Sequence, residues 1–235
     1  MSNTIIKKRE IDQLVFFKQK IISPIEEVDE YELLLRLKQN SGFYNFPVDL
    51  FNEIMKNQEN HSVYIKHIVS EIEKILANTQ SSYSLNIDYQ ELYYEETFIY
   101  LNEIKDKNRI KIELTERIPQ NRTNNYSELV PLQPIVRLKN QGFKIVLDDF
   151  LSGVNTFGTL FYLDKNISRV KISILELKNK LSVDELNQYL RQTVAIFDKL
   201  SLDIVIEGIE NEELLSKLPQ VWKQQSYYYD KPSAV

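Results

Sequence analysis

Polar side chains lie at the ends of several apolar segments of this 235-residue chain, far apart in the sequence. Each segment has the apolar pattern of a buried strand. Because the active sites of parallel barrels are assembled at the carboxyl ends of their strands, we expect these side chains to converge. Glu32 is a looser case, since it lies near the start of its apolar run. The set comprises Glu32, Asn86, Glu113, Asp148, Asp149, Lys171 and Glu207.

The chemistry of this set points to a metal site. Five carboxylates cannot stay ionised together unless cations neutralise them. The chain has no Cys and no His at these positions, and oxygen ligands favour Mg²⁺ or Mn²⁺ over zinc or copper. Adjacent Asp148 and Asp149 could help to hold two ions, the usual arrangement for attack on a phosphodiester. A structural interpretation stays open, because a single Asp or Glu at a strand end is most often a helix cap or a solvated loop residue.

The elements that must position these residues alternate between strand and helix. The expected strands are 14–22, 31–37, 82–87, 110–115, 143–147, 170–172 and 203–206. The expected helices are 48–55, 61–76, 91–104, 126–139 and 183–200, with a short one from 212. This alternation predicts an α/β fold with a parallel sheet, and the polar strand ends favour a barrel over an open sheet.

Composition narrows the function further. Without Cys, a disulfide framework and a cysteine nucleophile are excluded, and the five Gly provide no Gly-rich phosphate loop. The net charge of −5 disfavours binding to duplex nucleic acid. The apolar patch at 14–17 is too short for a signal peptide, and no stretch approaches the length of a membrane span. We therefore expect a cytoplasmic protein without membrane insertion.

Short segments along the chain resemble, in order, the motifs of the EAL family of cyclic di-GMP (c-di-GMP) phosphodiesterases. ELLLR at 32–36 resembles EALLR, while ELTE at 113–116 and DDF at 148–150 match motifs of the same letters. EGIE at 207–210 resembles EGVE, and QSYYYDKP at 225–232 resembles the closing QGYxxxxP. The match runs from about 16 to 232, so the chain, 1–235, is interpreted as a single EAL-type domain.

The resemblance implies a modified (β/α)8 barrel of TIM type that hydrolyses c-di-GMP to linear pGpG with two Mg²⁺ or Mn²⁺ ions. It implies that one ion is held by Glu32, Asn86, Glu113 and Asp148. It implies that the second is held by Asp148, Asp149 and Glu207. Glu207 would also be the general base, and Lys171, which matches the Lys of the family's KxD motif, would hold the attacking water or stabilise charge.

The remaining matches imply supporting roles. Arg36 and Gln19, the latter matching the Gln of a QPI segment, would contact substrate, although a barrel salt bridge or structural hydrogen bonds would also explain them. Glu210 and Gln225 would support the metal ligands. Glu116 would anchor the loop after Asp149 and couple the metal site to dimerisation, so a homodimer is compatible with the resemblance.

Two departures from the family pattern leave a second function open. The loop 148–156 reads DDFLSGVNT where the family has DDFGTGYSS, so Leu151 replaces a Gly that tolerates a positive φ. Ser173 replaces the Asp of KxD. These changes favour an inactive EAL domain that senses c-di-GMP or docks on a protein, whereas the complete ligand set favours the enzyme. The residues also permit a different nucleotide or phosphoester substrate.

Overall fold

A computed structural model describes residues 8–38, 44–118, 126–175, 177–210, 212–217 and 222–235. One sheet contains the strands β1 Leu14–Ile21, β2 Glu30–Lys38, β3 Tyr44–Asn45, β4 Ser82–Ile87, β5 Ile110–Leu114, β6 Lys144–Leu147, β7 Arg169–Ser173, β8 Asp203–Glu207, β9 Lys223–Gln225 and β10 Ser233–Ala234. The α-helices in these ranges are α1 Lys8–Ile11, α2 Val48–Ile54, α3 Gln58–Asn78, α4 Glu95–Leu101, α5 Tyr126–Leu129, α6 Leu132–Asn140, α7 Phe157–Leu163, α8 Val183–Leu200 and α9 Glu212–Lys217. No helix in the described parts of the chain is both long enough and apolar enough to cross a membrane.

The sheet curls into a modified (β/α)8 barrel, which confirms the predicted fold class. The strands β2, β4, β5, β6, β7, β8 and β9 are parallel neighbours in this order. The strand β1 instead pairs antiparallel with β2. Closure follows from Ile22 and Gln224, whose backbone N–H and C=O groups exchange hydrogen bonds of 2.8 Å in both directions.

The antiparallel direction of β1 corrects the expectation of a wholly parallel sheet. Residues 22–29 connect β1 to β2, and a parallel crossover needs a dozen or more residues. This short connection can therefore only turn the chain back. It also brings the carboxyl end of β1 to the opposite end of the barrel from the carboxyl ends of the parallel strands β2 and β4–β9.

Several helix boundaries also differ from the expected ones. The predicted helix at 126–139 is two helices, α5 and α6, because Pro131 disfavours the helical conformation of the preceding residue. The helix α3 begins earlier than expected, since the side chain of Asn57 caps it by accepting a hydrogen bond of 2.9 Å from the N–H of Asn60. The strand β9 and the helix α7 have no counterpart among the predicted elements. The helix α7 follows the motif segment 148–156, and β9 ends at the motif residue Gln225.

Two layers of charged side chains fill the interior of the barrel along the same strands. Near the amino ends of the strands, the Arg169 guanidinium donates to Glu30 Oε2 at 3.0 Å and to Asp203 Oδ2 at 2.6 Å. Lys111 and Lys223 complete this lower layer by pairing with Glu30 and Asp203 at 2.7 and 2.9 Å. The signs of charge are nearly balanced there. Because side chains two or four positions apart on a strand share a face, β2, β5, β7 and β8 each also place a residue in a second, upper layer. That layer contains Glu32, Glu113, Lys171 and Glu207.

Candidate metal centre and substrate cavity

One buried ammonium group lies among four carboxylates at the carboxyl end of the barrel. Lys171 is 1% exposed, and it lies on β7 between Val170 and Ile172, which are also buried. Its Nζ atom contacts Glu32 Oε2 at 3.0 Å, Glu113 Oε2 at 2.8 Å, Asp148 Oδ1 at 3.1 Å and Glu207 Oε1 at 2.7 Å. In contrast to the lower layer, the negative charge here exceeds the positive charge. This imbalance is the main electrostatic feature of the site.

The strands place these side chains by simple alternation. Glu113 is fully buried in β5, and its contact with Lys171 places its carboxylate in the barrel interior, on the face opposite to Ile112 and Leu114. Asp148 follows β6 directly, and its N–H donates to the C=O of Leu114 at 3.1 Å. Asn86 is in register with Glu113 on the neighbouring strand and donates from Nδ2 to Glu32 Oε1 at 2.6 Å. Residues up to 175 positions apart in sequence, from Glu32 to Glu207, thus share one site.

Burial opposes ionisation of most carboxylates in the cluster. It raises the pKa of Glu113 to about 8 and the pKa of Glu207 well above its ordinary value, although Lys171 acts in the opposite direction. Burial also raises the pKa of Asp148, and burial together with the charge of Asp148 raises the pKa of Asp149 to about 6. For Glu32, burial is outweighed by Lys171 and by hydrogen bonds from Asn86 and Gln225, so its pKa is lowered. Additional positive charge would therefore stabilise the ionised form of these carboxylates.

The donor atoms fit a hard divalent cation. The carboxylate oxygens of Glu32, Glu113 and Asp148 approach one another within 4.8 Å, and so do those of Glu116, Asp148 and Asp149. Asn86 Oδ1 and Glu113 Oε1 are buried and accept no hydrogen bond. Buried oxygens without a donor are rare, and a cation would satisfy them. Asp148 belongs to both groups, as a residue shared by two ions would.

The second carboxylate group differs in one residue from the set that the resemblance implies. Asp148 and Asp149 are joined by Glu116, whereas Glu207 belongs to neither group of three among the described residues. Glu207 is directed to Lys171 instead. Burial, together with the charges of Asp148 and Asp88, raises the pKa of Glu116 despite the opposing effect of Arg117. The structure therefore offers Glu116 as an alternative third ligand.

A cavity of about 290 Å³ opens beside the carboxylates. Its polar wall includes Arg36, Asn86, Asp148 and Asp149, and its apolar wall includes the rings of Phe46, Phe51 and Tyr64. The Arg117 guanidinium lies 4.4 Å from the centre of the Phe46 ring, in the geometry of a cation–π contact. Guanidinium groups suit phosphates, and aromatic rings suit a planar base. The cavity thus combines both features next to the candidate metal ligands.

The two glutamines of the predicted site form a chain of hydrogen bonds behind Glu32. Gln225 donates from Nε2 to Glu32 Oε2 at 2.6 Å and to Gln19 Oε1 at 3.3 Å. Gln19 in turn donates from Nε2 to the C=O of Asp230 at 3.1 Å. Both glutamines are buried, so Gln225 orients the Glu32 carboxylate and Gln19 supports Gln225. Glu210 is placed apart from this chain, because it is exposed and pairs with Lys178 at 2.5 Å.

The loop after Asp149 is tied to Glu116 through the backbone. The C=O of Glu116 accepts a hydrogen bond of 3.0 Å from the N–H of Val154. A Cβ atom at Gly153, where φ is 48°, would lie 1.8 Å from this carbonyl oxygen, so no other residue fits. Asp149 and Leu151 also have positive φ values, 41° and 75°. Leu151 thus has the positive φ that the Gly at this position of the family pattern suggested, and its backbone is strained there.

Two sets of residues near the site were missed from the sequence. The residues of the lower ionic layer could have been found from the sequence. Each of them stands a few residues before a predicted site residue on the same strand: Glu30, Lys111, Arg169 and Asp203. No sequence pattern indicated the contact between Tyr89 and Asn155, because these residues lie 66 positions apart.

Comparisons with known proteins agree with this architecture. The sequence matches the family model described as the EAL domain over residues 7–221. It is 33% identical over 123 residues to a probable cyclic di-GMP phosphodiesterase, PdeG, of Escherichia coli strain K12. That match covers 52% of this chain and 23% of PdeG, so the chain spans about a quarter of its relative's length.

Solved structures give the same result for the fold. An EAL domain protein from Listeria monocytogenes is 22% identical, with a TM-score of 0.72 over 100% of this chain and 94% of that one. The FimX EAL domain from Pseudomonas aeruginosa, bound to c-di-GMP, is 18% identical, with a TM-score of 0.75 over 95% of this chain and 92% of that one. The extent of the family match and the shared barrel place this chain in the EAL domain family.

Proposed function

We propose that this EAL domain hydrolyses c-di-GMP to linear pGpG with two divalent cations, Mg²⁺ or Mn²⁺. The observation that carries the proposal is the excess of carboxylates around Lys171, which lies at the strand ends beside a cavity with Arg36 in its wall. The description of PdeG as a probable cyclic di-GMP phosphodiesterase supports the substrate, and so does the ligand of the FimX domain.

The ligand sets follow from the two carboxylate groups. Glu32, Asn86, Glu113 and Asp148 would hold one cation, and Asp148 and Asp149 would hold the other together with Glu207 or Glu116. Divalent cations at such a site lower the pKa of a water molecule and neutralise phosphate charge. The donor set contains only oxygen atoms, which agrees with Mg²⁺ or Mn²⁺.

The chain's own side chains would then position the substrate and move a proton. Glu207 would accept the proton of the attacking water, and its contact with Lys171 at 2.7 Å fixes where the carboxylate stands. The planar guanidinium of Arg36 would bind a phosphate at the cavity wall. The rings of Phe46 and Phe51 would pack against a guanine base.

A second candidate function, a c-di-GMP-binding module without turnover, is favoured by the altered loop. Leu151, with its φ of 75°, lines a second cavity of about 350 Å³ together with Asp149 and Ser173. Ser173 provides no carboxylate there. Strain in the loop and the missing carboxylate would both weaken the hold on the second cation, while substrate binding through Arg36 would persist.

The test is incubation of the purified protein with c-di-GMP and Mg²⁺ or Mn²⁺, followed by chromatographic separation of the products. We expect pGpG from the native protein and none from Glu32→Ala or Asp148→Ala. Glu71→Ala is the matched control, because this carboxylate pairs with Lys74 on the same helix, α3, and belongs to neither carboxylate group of the site. Binding of c-di-GMP without a product would favour the binding module. Cleavage of bis(p-nitrophenyl) phosphate but not of c-di-GMP would indicate a different phosphodiester.

A further inference from the structure

A buried hydrogen-bonded pair, Tyr89 and Asn155, lies behind the loop that carries Asp148 and Asp149. The Tyr89 hydroxyl donates to Asn155 Oδ1 at 2.8 Å, and both residues are fully buried. Asn155 Nδ2 donates to the C=O of Leu114 at 2.8 Å and to the C=O of Asp148 at 2.7 Å. The side chain of Asn155 thus joins the end of β5 to the peptide between the two aspartates.

The chemistry of the three partners fixes the orientation of the Asn155 amide. The two carbonyl oxygens can only accept, so the amide NH₂ must face them. The amide oxygen then faces Tyr89, whose hydroxyl is able to donate. Replacement of the phenol by a phenyl ring would leave this buried oxygen without its donor. Tyr89 therefore completes the set of bonds that holds the Asp148 carbonyl.

The position of Tyr89 is itself well determined. It opens the 3-10 helix Tyr89–Tyr93, which is capped because Asp88 N–H donates to Glu91 Oε1 at 2.9 Å. Thr115 donates to the Asp88 carboxylate at 2.5 Å, which ties the helix to the residue after β5. The Tyr89 hydroxyl is thus presented from a fixed turn.

The loop on the other side of the pair is strained. Asp149 has a φ of 41° and Leu151 a φ of 75°, and neither residue is Gly. Such conformations persist only where the surroundings over-determine them. Asn155 contributes through its backbone as well, since its C=O accepts from the N–H of Leu151 at 2.7 Å. The pair therefore stands where support for the strained turn is needed.

We propose that Tyr89 and Asn155 are positioning residues that hold the Asp148–Asp149 turn in the conformation that binds divalent cations. The inference rests on the proposed function for the identity of the cation site. Loss of the Tyr89 hydroxyl should release the Asn155 amide, allow the turn to relax, and weaken cation binding.

The experiment measures Mn²⁺ binding to Tyr89→Phe by the electron paramagnetic resonance signal of free Mn²⁺, in the absence of substrate. Removal of groups that orient metal ligands typically weakens metal affinity by 10- to 100-fold, and we expect about 10-fold here. Where the native protein hydrolyses c-di-GMP, excess Mn²⁺ should restore the rate of the variant to within about twofold, since no ligand is removed. Tyr94→Phe is the matched control, because it removes a hydroxyl that donates to the C=O of Met55 at 2.8 Å, away from the loop.

A second variant, Asn155→Ser, tests the inference without relying on Tyr89→Phe. Asn155→Ser should weaken Mn²⁺ binding at least as much as Tyr89→Phe, and the double variant should be no weaker than Asn155→Ser alone, because the hydroxyl acts through the amide. Native affinity for Mn²⁺ in both single variants would overturn the inference. Loss of the fold in both variants would overturn it as well, because the pair would then contribute to stability alone. A native protein that binds Mn²⁺ but hydrolyses nothing would refute the proposed function and leave this inference intact. A native protein that binds no Mn²⁺ would overturn both.

Discussion

The Nζ atom of Lys171 lies 2.8 Å from Glu113 Oε2, and both side chains are completely enclosed by the barrel. The same ammonium contacts three other carboxylates. Removing one member of a buried ion pair leaves the other charge without compensation, which is far more costly than losing a surface pair. In the metal-free protein, Lys171 is therefore the group that keeps these carboxylates together.

Lys171→Met should destabilise the metal-free protein by about 3–5 kcal/mol, because the buried carboxylate of Glu32, whose lowered pKa keeps it ionised, and the neighbouring carboxyl groups lose their contact with a cation. Mg²⁺ or Mn²⁺ should recover part of this loss by supplying positive charge in its place. The measurement is urea unfolding of the native protein and the variant, each with EDTA and with saturating Mg²⁺.

The matched control for this prediction is Lys178→Met. Lys178 pairs with Glu210, which is exposed, so its removal should change the free energy of unfolding by less than about 1 kcal/mol. Equal unfolding free energies of the native protein and Lys171→Met in EDTA would contradict the role given to Lys171.

The raised pKa of Glu113 predicts that the metal-free protein loses stability as the pH rises. Folding raises this pKa from about 4.5 to about 8, so the folded state binds more protons than the unfolded state between these values. The free energy of unfolding then falls with rising pH, by up to roughly 1.4 kcal/mol per pH unit for one group. Glu207, whose pKa is also raised, acts in the same direction.

Urea unfolding in EDTA between pH 5 and 8 checks this slope. Glu30 and Glu32 do not obscure it, because their lowered pKa values stabilise the fold above the unfolded pKa of 4.5, and that contribution is lost only at lower pH. Glu113→Gln should flatten the slope, since Gln does not titrate. A metal-free protein that becomes more stable from pH 5 to 8 would contradict the assignment.

The same pKa predicts that cation binding releases protons near neutral pH. A cation ligand must be deprotonated, and Glu113 is largely protonated below about pH 8 in the metal-free protein. We therefore expect Mn²⁺ affinity to increase with pH up to about 8 and then to level off. Calorimetric titration in two buffers with different ionisation enthalpies measures the number of protons released. Equal apparent enthalpies in both buffers at pH 7 would show that no proton leaves.

The convergence of the site could be predicted from the sequence because it depends on local rules. Apolar alternation identifies the strands, and the barrel brings their carboxyl ends together, so Glu32, Glu113 and Lys171 meet although they lie far apart in the sequence. The direction of β1 was equally accessible, since the eight residues at 22–29 are too few for a crossover. It was missed because strand length and pattern do not report strand direction.

Other features depend on tertiary contacts without a local pattern. The hydrogen bond between Tyr89 and Asn155 joins a turn to a loop 66 residues later, and the sequence of neither segment indicates this contact. The proximity of the Glu116 carboxylate to those of Asp148 and Asp149, within 4.8 Å, depends on side-chain positions. Such positions follow from packing and not from residue spacing.

Leu151→Gly and Gly153→Ala should change stability in opposite directions, although both positions have positive φ. Gly at 151 removes backbone strain of about 1 kcal/mol or more, and little packing is lost because the Leu side chain is 40% exposed. The greater freedom of Gly in the unfolded chain reduces this gain by about 0.4–1 kcal/mol. Ala at 153 would place Cβ 1.8 Å from the Glu116 carbonyl oxygen, which the loop cannot accommodate without moving.

Urea unfolding and a Mn²⁺ titration of each variant test this pair. We expect Leu151→Gly to be as stable as the native protein or slightly more stable, with equal or tighter Mn²⁺ binding. Gly153→Ala should lower both quantities. Weaker Mn²⁺ binding by Leu151→Gly without loss of stability would show that the strained conformation itself favours the cation.

Glu207→Gln should lower the rate constant of c-di-GMP hydrolysis at saturating substrate by roughly 10²–10⁴-fold, because Gln cannot accept the proton of the attacking water. Substrate affinity should change only a few-fold, since Arg36 and the other proposed cation ligands remain. The amide oxygen of Gln can still accept from Lys171, so the packing of the site is retained.

Single-turnover kinetics across a Mn²⁺ titration separate the two proposed roles of Glu207, general base and cation ligand. Glu116→Gln is the comparison, because its carboxylate lies within 4.8 Å of those of Asp148 and Asp149, and excess Mn²⁺ should restore its activity. Recovery of Glu207→Gln at high Mn²⁺ would instead make Glu207 a cation ligand and exclude it as the base.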